Sequence, residues 1–195
     1  MAANIRTGLF FGSFNPIHTG HMILAHYFTE FTDIQEVWFV VSPHNPLKMK
    51  QTLLPDHHRL ALVKEAIQDD ARFKACDIEF HMPQPSYTVH TLAYLQEKYP
   101  SRSFVLLMGS DILPSFHKWK NYTHILENYL LYVYPRPGKW ENPYTGHPHI
   151  HIIENVPQIE ISSTFIREAI QSGKDVKYLV PDPVYNYIRE MHFYK

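Results

Sequence analysis

Apolar residues follow two alternating rhythms along this chain. Short, largely apolar runs occupy Thr7–Phe11, Val37–Val41, Phe104–Met108, Tyr129–Tyr134 and Ile150–Ile153. Turn-forming residues close them: Gly12-Ser13 after the first, Ser42-Pro43 after the second, Gly109-Ser110-Asp111 after the third, and Pro135-Arg136-Pro137-Gly138 after the fourth. Runs of that length with little polar interruption predict strands buried on both faces. Between them the apolar spacing lengthens to three and four. Leu24, Phe28 and Phe31 mark a helix from about His18 to Phe31, and Leu60, Val63 and Ile67 mark one beginning near Pro55-Asp56. Val89, Leu92 and Leu95 or Gln96 mark a third, running to Pro100. Further helices are predicted from Ser163 to about Gln171 and from Pro183 onward, the latter with Val184, Ile188 and Met191 on one face. Residues 139–149, rich in Pro, Gly, Asn and His, read as a loop.

Buried strands alternating with amphipathic helices predict an α/β fold: a Rossmann-like, doubly wound, mostly parallel sheet with helices on both faces. Neither an internal repeat nor a linker interrupts the pattern. Residues 1–195 are therefore expected to form a single domain, the helices from about 163 packing on the same core.

Composition narrows the partners. The chain is 45% hydrophobic and 19% charged, an ordinary globular balance. A formal net charge of -1 speaks against coating nucleic acid, so phosphate recognition must be local. No run approaches the roughly 20 apolar residues of a membrane helix, and the first residues lack a signal-peptide pattern. A cytoplasmic protein with no membrane partner is expected; a homo-oligomer is left open. Cys76, the single cysteine, has no partner for an internal disulfide and reads as a packing residue.

In doubly wound sheets ligands sit beyond the carboxyl ends of the strands. Two segments there carry chemistry. Gly12-Ser13-Phe14-Asn15-Pro16-Ile17-His18-Thr19-Gly20-His21 joins the first strand to the first helix. Gly12 permits a turn close to a ligand, and a helix start offers unpaired N–H groups and a positive dipole end. His18 and His21, three apart, share one face. Two imidazoles with free amides suit a phosphate gaining charge in a transition state. A zinc site is the other reading, but the pair lacks the third and fourth ligands, so no protein-held metal is expected. The second segment, Ile161-Ser162-Ser163-Thr164-Phe165-Ile166-Arg167, opens a helix. Ser162 or Ser163 is a favoured N-cap. Arg167, one turn in, opposes the helix dipole unless a bound polyphosphate reverses the penalty.

The first segment resembles the G-x-F-x-P-x-H-x-G-H signature of the nucleotidyltransferase α/β-phosphodiesterase superfamily. The second resembles its I-S-S-T-x-I-R element, in the expected order. Further stretches resemble nicotinate-nucleotide adenylyltransferases and extend over nearly the whole chain: Pro85-Ser86-Tyr87-Thr88 with Thr91-Leu92, Gly109-Ser110-Asp111 with Phe116 and Trp119, Arg136-Pro137-Gly138, and Leu179-Val180-Pro181 with Val184. The resemblance implies transfer of the AMP moiety of ATP to nicotinate mononucleotide, giving deamido-NAD and pyrophosphate in NAD biosynthesis. It implies His18, His21 and Arg167 as catalytic residues, and Gly12, Ser13, Phe14, Gly20, Gly109, Asp111, Ser162, Ser163 and Lys48 around ATP. Trp119 would stack on the pyridine ring, and the backbone near Thr88 would receive the nicotinate carboxylate, with Tyr87 and Arg136 also on the substrate. Mg²⁺ would arrive with ATP, held by phosphate oxygens.

Two departures stand out. His90 takes a place where members often have Asp, and Asn45-Pro46-Leu47-Lys48, preceded by His44, replaces the family's P-P-H-K. Competing readings are a nicotinamide-mononucleotide or pantetheine-phosphate adenylyltransferase and, from another class, a non-catalytic nucleotide-binding regulator. The tract His147-Pro148-His149-Ile150-His151 reads as surface rather than as a metal site.

Overall fold

In the computed structural model, which describes residues 5–43 and 53–195, six strands pair into one sheet. In chain order the elements are β1 (Ile5–Gly12), α1 (Thr19–Phe31), β2 (Glu36–Val41), α2 (Asp56–Ile67), β3 (Phe73–Cys76), α3 (Thr88–Lys98), β4 (Arg102–Gly109), α4 (Tyr122–Asn128), β5 (Leu130–Tyr134), β6 (Ile150–Ile152), α5 (Ser163–Gln171) and α6 (Asp182–Glu190). Two 3-10 segments, Ile78–His81 and Ser110–Lys118, precede α3 and α4. The strand order is β3-β2-β1-β4-β5-β6, and every pairing is parallel. That is the doubly wound order, with its reversal between β1 and β4. Lys48, with His44 to Leu47, lies outside the described residues.

The alternation of strand side chains builds two cores. Phe10, Val37, Phe39, Val41, Val105 and Leu107 face a layer with Phe28 of α1, Leu62 and Val63 of α2 and Val184 and Ile188 of α6. Their neighbours Leu9, Trp38, Val40, Leu106 and Met108 face Leu92 and Leu95 of α3 and Ile125 of α4. Period-two alternation in strands with both faces covered explains why the sequence shows unbroken apolar runs.

The amino ends of β1, β2 and β4 are joined by charge. Glu36, 8% exposed, accepts a hydrogen bond from the Thr7 hydroxyl at 2.8 Å and pairs with Arg102 and, at 3.1 Å, with Lys74. Arg102 also lies 5.2 Å over the Trp38 ring. A buried carboxylate with two cations and a hydroxyl is compensated, so it locks register at the end of the sheet away from the cleft.

Several elements differ from the sequence pattern. β3 is an edge strand with only Phe73 fully buried, so it lacks an apolar run. The seven residues of α4 follow Asn121, whose left-handed backbone (φ 51°) starts the helix abruptly. Phe31, expected on the buried face of α1, is 68% exposed and stacks on Tyr27 instead. α6 ends at Glu190 rather than continuing to the last residues. Among the described residues no helix is long and apolar enough to cross a membrane.

Candidate active site

A cleft of about 520 Å³ opens at the carboxyl ends of β1, β4 and β5, within the range of small-molecule sites. Gly12, Gly109 and Tyr134, the last residues of these strands, line it, and α1 and α5 begin on its wall. Of the residues singled out from sequence, Gly12, Ser13, Phe14, His18, Gly20, His21, Gly109, Asp111, Arg136, Ser162, Ser163 and Arg167 all line this one space.

The floor depends on two glycines. A Cβ on Gly12 would come within 2.9 Å of the Phe14 ring, which folds beneath the end of β1 with a left-handed backbone (φ 45°). Phe14 is 2% exposed and packs edge-on to Phe10 and Phe39. It packs the floor under the end of β1 and also lines the cleft, where an ATP contact is expected. At Gly109 a Cβ would collide with the Asp111 carboxylate and lie 2.9 Å from Cγ of Arg136. The Gly–Ser–Asp turn can approach the β5 loop only without a side chain there.

His18 is the N-cap of α1 with an extended backbone, and His21 is one turn in. Their rings stack with centroids 3.7 Å apart and 31° between planes. The His18 backbone N–H donates to Nδ1 of His21 at 3.2 Å, so that nitrogen is unprotonated and the ring carries its proton on Nε2. His21 is braced edge-on by Phe14 and Phe10, at 5.2 and 5.7 Å. His18 is 6% exposed, and its buried Nδ1 has no hydrogen-bond partner among the described residues. Burial first, and then the Arg136 charge, lower its pKa from 6.5 to about 4. The imidazole is thus neutral at pH 7 beside an arginine, an arrangement that a bound anion would relieve.

The second segment meets the first by direct hydrogen bonds. Ser162 is the N-cap of α5, its hydroxyl accepting from Phe165 N–H at 3.1 Å. Ser163 donates its hydroxyl to the Pro16 carbonyl at 2.8 Å, and Arg167 donates to the Asn15 carbonyl at 2.8 Å and to the Thr164 hydroxyl at 3.2 Å. Capping did not account for Arg167; this brace does, while leaving the residue on the cleft wall. Arg136 stands opposite, its backbone N–H held by the Ser110 hydroxyl at 2.9 Å and its Nε 3.8 Å from the Asp111 carboxylate.

Tyr87, Thr88 and Trp119 do not line the cleft. Tyr87 is the N-cap of α3 and Thr88 its first residue, while Trp119 closes the 3-10 segment that starts at the cleft with Asp111 and Ile112. Lys120, next to Trp119, lies 4.3 Å over the Tyr87 ring, so the two segments meet. The Trp119 ring is half-buried, 5.1 Å from Phe116. His90 packs its ring against Tyr87 at 5.7 Å. The His147–His151 tract is used locally: His149 Nδ1 sits 2.6 Å from the Leu126 carbonyl, and His151 packs on Tyr132. Burial pushes the Cys76 thiol up to about 11, so it is no nucleophile at neutral pH.

Sequence reasoning missed Arg59. This side chain of α2 is fully buried and donates to the carbonyls of Ser13 and Ser42 (2.7 Å each), Leu54 and Pro43 (3.0 Å each) and to Asp56 at 2.5 Å. It ties the loop after β1 to the loop after β2. The signal was present: Arg59 precedes Leu62 and Val63 by three and four positions, a charge on the buried stripe of a helix.

A doubly wound sheet whose first strand delivers a stacked histidine pair to a nucleotide-sized cleft marks the chain as a nucleotidyltransferase, and a family model described as cytidylyltransferase-like matches residues 9–169. Over 194 residues the chain is 52% identical to a protein of Christiangramia forsetii named "Probable nicotinate-nucleotide adenylyltransferase", covering 98% of this chain and 100% of the relative. A Flavobacterium psychrophilum protein of the same name is 53% identical over 193 residues, with 98% and 100% covered. The chain belongs to the nicotinate-nucleotide adenylyltransferase family. Its fold is similar to that of Plasmodium falciparum nicotinic acid mononucleotide adenylyltransferase complexed with NaAD, at TM-score 0.80 and 20% identity over 98% of each chain.

Proposed function

We propose that this protein transfers the AMP moiety of ATP to nicotinate mononucleotide, releasing pyrophosphate and forming deamido-NAD. The observation that carries the chemistry is the His18–His21 pair on the α1 start, aimed into the cleft at the sheet reversal. A phosphate oxygen of the mononucleotide attacks the α-phosphorus of ATP. The bond from that phosphorus to the bridging oxygen breaks, and pyrophosphate leaves with the electron pair. No protein nucleophile is required, so the protein positions the reactants and stabilises charge.

His21, protonated on Nε2, donates to the α-phosphate. His18, neutral when the cleft is free of anions, takes up a proton as the triphosphate arrives and then donates beside it. The amides at the α1 start add their dipole. Arg167 and Ser163 hold the outer phosphates, and Arg136 balances charge from the β5 side. Trp119, Tyr87 and the α3 start carry the pyridine end, the α3 amides receiving the nicotinate carboxylate. Among the described residues no three His, Cys, Asp or Glu side chains converge, and Asp111 is the one carboxylate lining the cleft. That donor set fits Mg²⁺ carried in on phosphate oxygens, where it would screen their negative charge. The reading places the enzyme in the cytoplasm, among its nucleotide substrates.

Pyrophosphate release with ATP and Mg²⁺ tests this, comparing nicotinate mononucleotide, nicotinamide mononucleotide and phosphopantetheine. A strong preference for the nicotinate acceptor is expected. Preference for another acceptor overturns the substrate assignment, and ATP binding without turnover favours a regulator.

A further inference from the structure

The last residues of the chain return to the catalytic loop. After α6, His192 adopts a left-handed backbone (φ 55°), and Phe193 N–H reaches back to the Ile188 carbonyl at 3.1 Å. This is a helix-terminating turn built without glycine. Phe193 then packs between His58 and Tyr187, at 4.7 and 5.7 Å between centroids, while Tyr187 and His58 share a hydrogen bond of 3.1 Å. Tyr194, with φ 65°, is thereby directed under the loop that joins β1 to α1.

There its hydroxyl lies 2.9 Å from Oδ1 of Asn15, a side chain only 1% exposed. The same oxygen lies 3.2 Å from Leu54 N–H. A backbone N–H can only donate, so this atom is the amide oxygen and the Tyr194 hydroxyl must donate to it as well. Asn15 is the residue whose carbonyl receives Arg167, and Pro16, next in the chain, receives Ser163. One residue therefore joins three segments: the C-terminal tail and the segment before α2 through its side chain, and α5 through its backbone. Three residues further on, the loop delivers His18.

The geometry points to Tyr194 as a positioning residue for the transfer reaction, acting through Asn15 to hold the His18 loop and Arg167 in register. This rests on the catalytic roles given above to His18 and Arg167. The phenol touches no substrate and moves no proton. Burial raises its pKa, which keeps it a donor across the working pH range. Its contribution should fall on kcat, because it fixes the geometry of groups that stabilise the transition state rather than a surface that binds the ground state.

Tyr194→Phe removes the hydroxyl and keeps the ring, so packing survives. Steady-state turnover should show kcat reduced about five- to tenfold, the worth of one neutral hydrogen bond. KM for both substrates should stay within about twofold and the melting temperature within a few degrees. In an Asn15→Ala background the same substitution should cause no further loss, since the contact is already gone. A merely structural tyrosine predicts the reverse: a lowered melting temperature, kcat within twofold of the parent, and an equal drop in melting temperature in the Asn15→Ala background. That result overturns the inference. Hydrogen exchange at Leu54 N–H reads the same contact without turnover, with exchange about tenfold faster expected in Tyr194→Phe. Should the parent turn over no acceptor at all, the functional reading falls, and unchanged exchange would remove the contact from Tyr194 independently.

Discussion

Replacing Arg59 with methionine should destabilise the protein by about 3–5 kcal/mol, the range for breaking a buried, hydrogen-bonded charge network. Methionine has a comparable apolar stem, so the change isolates the guanidinium from the packing of α2. What is lost is the guanidinium that donates to four loop carbonyls, those of Ser13, Ser42, Pro43 and Leu54. Each buried acceptor deprived of its partner costs about 1–3 kcal/mol. These four residues are only half-buried, so water can reach part of the gap and the lower end of that range applies. The desolvation cost of the guanidinium is recovered, which again keeps the total below the simple sum. Urea denaturation followed by fluorescence reads the difference, and for a chain of this size melting should fall by about 10 °C or more. Arg59→Lys should lie between, because one ammonium cannot span carbonyls on both sides of a planar fork. A methionine variant within about 1 kcal/mol of the parent would show that the loops hold each other without Arg59.

Stability should also depend on pH through His18. The unfolded chain takes up a proton near pH 6.5 and the folded one only near 4, so the contribution is whole above 6.5 and is lost as pH falls toward 4. The loss should reach about 2 kcal/mol at pH 5, and His18→Asn should flatten that limb of the denaturation profile. His18→Ala or His21→Ala should lower kcat at least tenfold, on the order of 10²–10³ for a lost transition-state donor, with an unchanged circular dichroism spectrum; near-native turnover in both would remove them from the mechanism. Trp119→Ala should raise KM for the mononucleotide by about tenfold or more through lost stacking while leaving KM for ATP alone, and equal effects on both substrates would place Trp119 in the core instead.

Much of this architecture is legible along the chain because doubly wound sheets bury strands on both faces. Phe104–Met108 carries no polar residue and lies within β4, and Ser163–Gln171 is found as α5, capped by Ser162, one of the two predicted candidates. The histidine pair is equally legible, since residues three apart at a helix start must share a face. What escaped detection lacks a local signature. β3 is exposed along one edge, and Lys74 is spent on Glu36 rather than on a pattern. Arg59 carries a charge where periodicity expects an apolar residue, and only its five acceptors, scattered over residues 13 to 56, explain it. Arg167 is not explained by its neighbours in sequence, because its backbone acceptor at Asn15 lies 152 residues away. Tyr194, 179 residues from Asn15, has no reason in its own neighbourhood to matter.

The bonds from Ser163 and Arg167 to the carbonyls of Pro16 and Asn15 have a consequence in time. Contacts between residues so far apart close very long loops, and such closures come late because their entropy is lost before any contact rewards it. The sheet reversal between β1 and β4 can be in place while the wall of α5 is still absent, leaving half a cleft with its histidines uncovered. During refolding, secondary structure should therefore return before turnover does, and enzymatic activity becomes the clock for the last event in folding.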